Sequence, residues 1–366
     1  MLVLGLMSGT SMDGLDCCLS NIDINENNEI AFEIIDSITY AYTKRIKATI
    51  IKTIENKNFN NNYLDDLLGI FFLNKTKLFL KNKKINLISS HGQTLSHKDG
   101  EYSIQIGNPK FMSEYYKIPV IYDFRFNDIE NHGSGAPLVP YLDWILFKNY
   151  NKNVISINIG GISNITYIPK KSVESMVVGF DMGPGMCLID LYVRLNWNMN
   201  FDSNGFLASK GKINNNLLQN LMNNKFIYKK PPKSTSVEKF NIDFLNKLLN
   251  DFDKINKYDF LRTLVNFTAC TIMKNIELHI NPRIKNKEFK IVFSGGGVKN
   301  KKLMDDLKNI LSIEDISKIN YHGITIDNKE SFLMCVLGIT SFKKIPNNMP
   351  SVTGANKKIV CGRIYE

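Results

Sequence analysis

The chain has 366 residues, 43% of them hydrophobic and 22% charged, and a formal net charge of +11. That length exceeds what one hydrophobic core usually serves, so two domains are expected, and the balance of apolar and charged residues excludes a disordered chain. The lysines are scattered among asparagines and isoleucines and form none of the modules that bind nucleic acid. The longest apolar runs, such as residues 67–73, are too short to span a bilayer, and no basic region precedes an apolar stretch at the N-terminus. None of the six cysteines forms a CxxC pair, and the five histidines show no ligand spacing. The reading is a cytoplasmic protein with reduced thiols and no nucleic-acid or membrane partner.

In chain order, residues 2–6 and 15–20 read as strands flanking a glycine turn, with a third strand over 30–42. Leu67, Ile70, Phe71 and Leu78 recur at helical spacing within 63–80. A short buried strand over 85–90 leads into His91-Gly-Gln-Thr, and 119–123 is another. Residues 154–168 repeat the pattern of strand, glycine turn and strand. Residues 176–186 then form a strand ending in a Gly/Pro loop, followed by an apolar helix over 187–195. Helices are expected over 214–222, 240–249 and 260–280, and 289–300 is a strand running into three glycines. The hairpin thus occurs twice, each time opening a stretch that alternates strands with helices, as in a duplicated α/β domain with a cleft between its halves.

Glycine turns after strands suit phosphate binding, because backbone N–H groups can approach closely and converge on an anion. Three are present: residues 9–14, Gly160-Gly161 and Gly295-Gly296-Gly297. Each alone can be a tight turn, but three at predicted strand ends favour a nucleotide site. The chain has neither GxxxxGK[ST] nor GxGxxG, so a Walker loop and the dinucleotide fingerprint are absent. Asp13 and Asp16 can support a hydrated Mg²⁺ beside phosphates. Asp181, before a Gly/Pro loop, can be a general base or an Asx-turn or helix-cap residue. Arg125 can clamp a carboxylate or phosphate, or pair with Asp123 or Asp128. Glu330 precedes an apolar helix and can simply complement its N-terminus. His91 can touch a substrate or be a satisfied structural residue.

Taken together, the motifs resemble the anhydro-N-acetylmuramic acid kinase family. The matching stretches are GLMSGTSMDGLD (5–16), SHGQT (90–94), IQIGNP (104–109), DFR (123–125), GSGAPLVP (133–140), NIGGISN (158–164), FDMGPGM (180–186), PPKST (231–235), SGGGVKN (294–300) and PNNMPSVTGA (346–355). They keep the family's order along the whole chain. The resemblance implies the two-domain fold of acetate and sugar kinases, Hsp70 and actin, with duplicated ribonuclease-H-like domains. Its expected divisions are 1–128 and 129–344, with 345–366 packing back on the first domain. It implies a homodimer that uses ATP, Mg²⁺ and water to convert 1,6-anhydro-N-acetylmuramic acid into N-acetylmuramic acid 6-phosphate during peptidoglycan recycling.

On the same resemblance, Asp181 is the catalytic base. Gly9, Thr10, Ser11, Met12, Asp13, Gly14, Leu15 and Asp16 cradle phosphates with the Mg²⁺. Gly160 and Gly161 form the facing phosphate loop, and Ser294, Gly295, Gly296 and Gly297 lie near the adenosine. Ser8, His91, Arg125 and Glu330 are expected at the sugar, with Arg125 meeting its carboxylate. The family's loop reads Thr-Gly-Pro-Gly-Asn where this chain has Met182 and Met186, and its KSTGRE becomes Lys233-Ser-Thr-Ser-Val-Glu238 through Ser236 and Val237. These departures lose polar or flexible positions expected near the cleft. A kinase of the same fold acting on another sugar, or a non-catalytic nucleotide-binding homologue, are the competing readings.

Overall fold

The structure, a computed structural model, describes residues 1–9, 12–57, 59–284, 288–312 and 317–366. Strands β1 (Leu2–Ser8), β2 (Gly14–Ile24) and β3 (Ile30–Ala41) form an antiparallel meander, with Leu4 opposite Leu19 and Leu15 opposite Tyr40. Helices α1 (Lys44–Glu55) and α2 (Asn62–Leu80) follow, then β4 (Leu87–Lys98), β5 (Tyr102–Ile106) and α3 (Lys110–Tyr116). Strand β6 (Val120–Tyr122) leads to α4 (Phe126–Glu130) and α5 (Val139–Phe147). A second meander, β7 (Asn153–Ile159), β8 (Ile162–Ile168) and β9 (Val178–Pro184), runs into α6 (Cys187–Trp197). Next come α7 (Asn215–Met222), α8 (Lys225–Tyr228), α9 (Ile242–Asp251) and α10 (Lys257–Asn275). Strand β10 (Phe289–Ser294), α11 (Lys301–Leu311), β11 (Ser317–Lys318), α12 (Lys329–Phe342), α13 (Pro350–Thr353) and β12 (Arg363–Tyr365) complete the chain.

The chain divides into two compact units, one of Met1–Ile145 with Asn320–Glu366 and the other of Leu146–Ile319. The first sheet has the order β12-β6-β4-β1-β2-β3, with β5 on β4, and the second has the order β11-β10-β7-β8-β9. In each, the first three strands are antiparallel neighbours, the next central strand lies parallel to the first, and another parallel strand follows it. This is one ribonuclease-H-like topology built twice, the two-domain fold of the actin-like ATPases. The divisions fall at 145/146 and 319/320, where the sequence reading placed 128/129 and 344/345. Helix α12 packs on β1, β2 and β4, which draws it into the first unit.

Burial explains these assignments. In the first unit Leu4, Leu6, Leu15 and Ile88 of the sheet meet Leu64, Leu68 and Phe72 of α2 in one apolar cluster. Fully burying side chains of this size contributes roughly 1.5–3 kcal/mol each. Helix α2 starts where Asn61 accepts a hydrogen bond from Leu64 N and ends at Lys81, which adopts the left-handed conformation. In the second unit α10 is buried on several faces and passes into a π turn over Ile276–Ile280, so the helix predicted over 260–280 is real but changes pitch at its end. All six cysteines are free thiols, and among the described residues no helix is long and apolar enough to cross a membrane.

Candidate active site

The first glycine turn is held from beneath by side chains. Ser8, 1% exposed, places its Oγ 2.7 Å from Gln93 Oε1, 2.7 Å from the Tyr42 hydroxyl and 2.9 Å from Gly14 O. Gln93 Nε2 in turn donates to Gly9 O at 3.1 Å. Ser8 was expected as a sugar contact, but its buried hydroxyl is committed to fixing the turn. Gly14 must be glycine, because a Cβ there would sit 2.2 Å from Tyr40 O on the neighbouring strand. Leu15 is a core residue, 0% exposed, in the middle strand of the meander. Met12 takes a positive φ of 54° and donates its N–H to Gly9 O. Thr10 and Ser11 lie outside the described residues.

The carboxylates of the turn are already engaged. Exposed Asp13 pairs with Lys47 at 3.0 Å, and Asp16 accepts a hydrogen bond from Thr39. Among the described residues no group of three or more His, Cys, Asp or Glu stands where it could cage a metal ion. Two carboxylates on one short turn, that of Asp13 exposed, suit the outer shell of a hydrated Mg²⁺.

Also in the first unit, β4 runs straight through His91 instead of stopping before it. His91 is 3% exposed; its Nδ1 lies 2.9 Å from Gly92 O, and its Nε2 accepts from Arg125 Nε and Nη2 at 3.2 and 3.1 Å. Arg125 Nη1 donates to Gly135 O at 2.7 Å. Asp128, buried, accepts from Gly135 N, from Asn348 Nδ2 and from Thr353 Oγ1, so it ties the 133–140 stretch to the 346–355 stretch. Sequence reasoning treated Asp128 only as a partner for Arg125 and missed this bracing role. Asp123 lies 3.5 Å from Arg363. Glu330 is half-buried in the first turn of α12, after Lys329, whose ammonium pairs with Asp143 at 2.6 Å in the interior.

In the second unit Asp181 sits within β9, opposite Asn164 and 7% exposed. Its Oδ2 accepts hydrogen bonds from Thr235 N at 2.9 Å and Ser234 Oγ at 3.1 Å, and its own N–H donates to Lys233 O. A carboxylate fixed in this way is an oriented proton acceptor. The helix that follows, α6, has Met186 and not Asp181 at its N-cap. Met182, the residue after Asp181, falls at a register shift between β8 and β9 and is buried in the core, 0% exposed.

The remaining glycine turns belong to the same unit. The carbonyls of Gly160 and Gly161 accept from the N–H groups of Gly185, Met186 and Cys187, so the turn closes the N-terminal end of α6. Val237 reaches Gly161 closely enough that a Cβ there would be 3.1 Å from its Cγ1. Ser294 is buried, with its Oγ 3.2 Å from Asn158 Oδ1, and Gly295 turns the chain with a φ of 85°. The first two residues of this triplet therefore follow directly from a strand that lies parallel to β7.

The chain is similar in sequence, along its whole length, to proteins of one family. The sequence model of one family, anhydro-N-acetylmuramic acid kinase, matches residues 1–366. An anhydro-N-acetylmuramic acid kinase of Clostridioides difficile strain 630 is 36% identical over 98% of this chain and 97% of its own length. One from Francisella tularensis subsp. novicida strain U112 is 34% identical over 98% and 97% of the two chains. One from Bacillus cereus strain 03BB102 is 34% identical over 100% and 99%.

Proposed function

This chain belongs to the anhydro-N-acetylmuramic acid kinase family, and from that premise we propose that it converts 1,6-anhydro-N-acetylmuramic acid, ATP and water into N-acetylmuramic acid 6-phosphate and ADP. The observation that carries the reading is Asp181, a nearly buried carboxylate with one oxygen pinned by Thr235 N and Ser234 Oγ. As general base, Asp181 takes a proton from water while that water attacks the anomeric carbon and the bond from that carbon to O6 breaks. General bases are worth about 10²–10⁴-fold in rate. Opening a glycosidic bond usually needs a second carboxylic acid to protonate the departing oxygen. Here the departing O6 is taken up by the γ-phosphorus of ATP, so the phosphoryl acceptor and the leaving group are one atom. The protein is left with positioning and charge neutralisation, as in other phosphoryl transfers.

On this reading the turn from Gly9 to Asp16 and the Gly160-Gly161 turn face phosphate, and residues Ser294, Gly295, Gly296 and Gly297 face adenosine. Mg²⁺ neutralises phosphate charge when bound. Asp13 and Asp16 are the residues that would hold it through water, and Asp13 would exchange Lys47 for it. Arg125 meets the lactyl carboxylate, His91 holds Arg125 in place, and Glu330 contacts the sugar. On this reading the substrate is a product of cell-wall breakdown, and the enzyme serves peptidoglycan recycling as a cytoplasmic homodimer.

The test is ADP release with Mg-ATP and 1,6-anhydro-N-acetylmuramic acid, with mass spectrometry of the sugar product. A gain of one phosphate plus one water supports the reading. A phosphate without water means an ordinary sugar kinase, and no product with ATP still bound means a non-catalytic homologue. Asp181→Asn should abolish turnover and leave ATP binding intact; turnover within a few-fold of the parent would remove Asp181 as the base.

A further inference from the structure

Beside Asp181 the second unit keeps a buried cation that the proposed reaction does not use. Lys233 is 4% exposed. Its Nζ donates to Phe226 O at 3.1 Å, Ile227 O at 2.9 Å and Asn275 Oδ1 at 2.7 Å, which accounts for all three of its protons. The two carbonyls belong to α8, a single turn, and Phe226 O also accepts from Lys229 N at 3.2 Å. Asn275, the last residue of α10, donates from Nδ2 to Met182 O on β9 and to Thr271 O. The rings of Phe180 and Phe226 flank the ammonium at 5.5 and 4.9 Å.

The backbone of Lys233 completes a clamp. Its carbonyl receives Asp181 N at 3.1 Å, and the next two residues deliver Ser234 Oγ and Thr235 N to Asp181 Oδ2. Asp181 is therefore gripped on its main chain and its carboxylate by one three-residue segment. That segment is anchored at Lys233 to α8, and through Asn275 to α10 and to the residue after Asp181. Burying an ammonium is costly, and an apolar side chain of similar length would fill the same space without that cost. The structure keeps the charge in contact with the segment that holds the carboxylate.

We propose that Lys233 is a positioning residue for Asp181: its ammonium locks the 233–235 segment against β9 and keeps the carboxylate ionised and aimed. The inference rests on the reading of Asp181 as base. Burial draws the Lys233 ammonium down to about 8, and the Asp181 charge pulls the other way. Among the described residues, Lys229 also acts on Lys233, and beside it His279 of the π turn feels Lys233, Arg283, Lys229 and Lys230. Asp181 supplies the opposing negative charge.

The experiment is steady-state kinetics of the full chain across about pH 5 to 9 for the parent, Lys233→Met, Lys233→Arg, Ser234→Ala and Asp181→Asn, with thermal unfolding of each. In Lys233→Met, kcat should fall roughly 10–100-fold with KM for ATP within about threefold. The acid limb of its pH–rate profile should move to higher pH, because Asp181 loses a nearby cation and well-placed donors. A purely structural loss would scale the profile at every pH and leave that limb in place. Ser234→Ala, which removes one donor from a half-buried position, should move the limb the same way by less, and it decides the matter if Lys233→Met fails to fold. Lys233→Arg keeps the charge and should recover part of kcat. An unmoved acid limb in Ser234→Ala, or a kcat for Lys233→Met within threefold of the parent, overturns the proposal. If Asp181→Asn itself stays active, the fault lies with the assignment of the base and not with the clamp.

Discussion

Arg125 gives two hydrogen bonds to a single atom, the Nε2 of His91, from Nε at 3.2 Å and Nη2 at 3.1 Å. The other ring nitrogen lies 2.9 Å from the carbonyl of Gly92, which can only accept. The proton is therefore on Nδ1 and the lone pair on Nε2, and the imidazole is neutral. Burial, and after it the Arg125 charge, push its pKa from 6.5 down to about 3. His91 is thus a fixed acceptor that orients a guanidinium.

That geometry sets a pH dependence of stability. Unfolded, His91 takes up a proton near its ordinary pKa of 6.5, whereas folded it does so only near 3. Between those values the unfolded chain binds more protons, so stability rises with pH. The contribution is complete above about pH 6.5 and is lost as the pH falls toward 3, at up to about 1.4 kcal/mol per pH unit. His91→Gln retains an acceptor for Arg125 and cannot be protonated. Thermal unfolding at pH 7 and pH 5 should show the parent losing more stability on acidification than this variant. Equal losses would mean that His91 titrates normally in the fold.

The glycine triplet separates the needs of the fold from those of a ligand. Gly295 has a φ of 85°, and a Cβ on it would stand 2.6 Å from Ile159 O. Gly295→Ala should therefore cost at least about 1–3 kcal/mol of stability, whatever the triplet binds. A Cβ on Gly296 would meet no heavy atom within 4 Å, and its φ lies outside the left-handed region. Gly296→Ala should leave stability within about 0.5 kcal/mol. If the triplet lies against adenosine, the same change should weaken ATP binding by about tenfold or more, as read by calorimetric titration. Unchanged affinity would take the triplet out of the nucleotide site.

Much of this was legible in the sequence because it is local. The two hairpins appear where apolar runs flank glycines, at β1–β2 and β7–β8, and Asp181 is marked by the Gly/Pro loop that follows it. What the sequence hid is long-range pairing of polar side chains. The clamp on Asp181 comes from residues more than fifty positions away, and the brace at Asp128 from Asn348 and Thr353 across more than two hundred. No periodicity encodes such contacts. The resemblance set Ser8 at the sugar, and only the structure shows its hydroxyl bonded to Gly14 O and Gln93 Oε1 beneath the turn. His91 looked like a residue beyond a strand because Gly92 reads as a breaker, yet the strand continues through it with Gly92 at a φ of 75°.

The two methionines in the loop after Asp181 make the last prediction, and they part company. Met182 is fully buried at the register shift between β8 and β9, so Met182→Thr would leave a cavity and bury a hydroxyl. A loss of about 2–4 kcal/mol is expected, with little effect on kcat in the folded fraction. Met186 stands at the start of α6 in a helical conformation, φ −93° and ψ −12°, with no side-chain cap. An N-cap side chain reaches Leu188 N or Ile189 N from an extended backbone, and Met186 is helical, so an asparagine there is badly placed to cap. Met186→Asn should change stability by less than about 0.5 kcal/mol and kcat by less than about threefold. Melting curves and turnover of both variants check this. A large gain in kcat for Met186→Asn would show that this side chain restrains the reaction from beside the glycine turn, and a neutral Met182→Thr would contradict the packing of β9 described above.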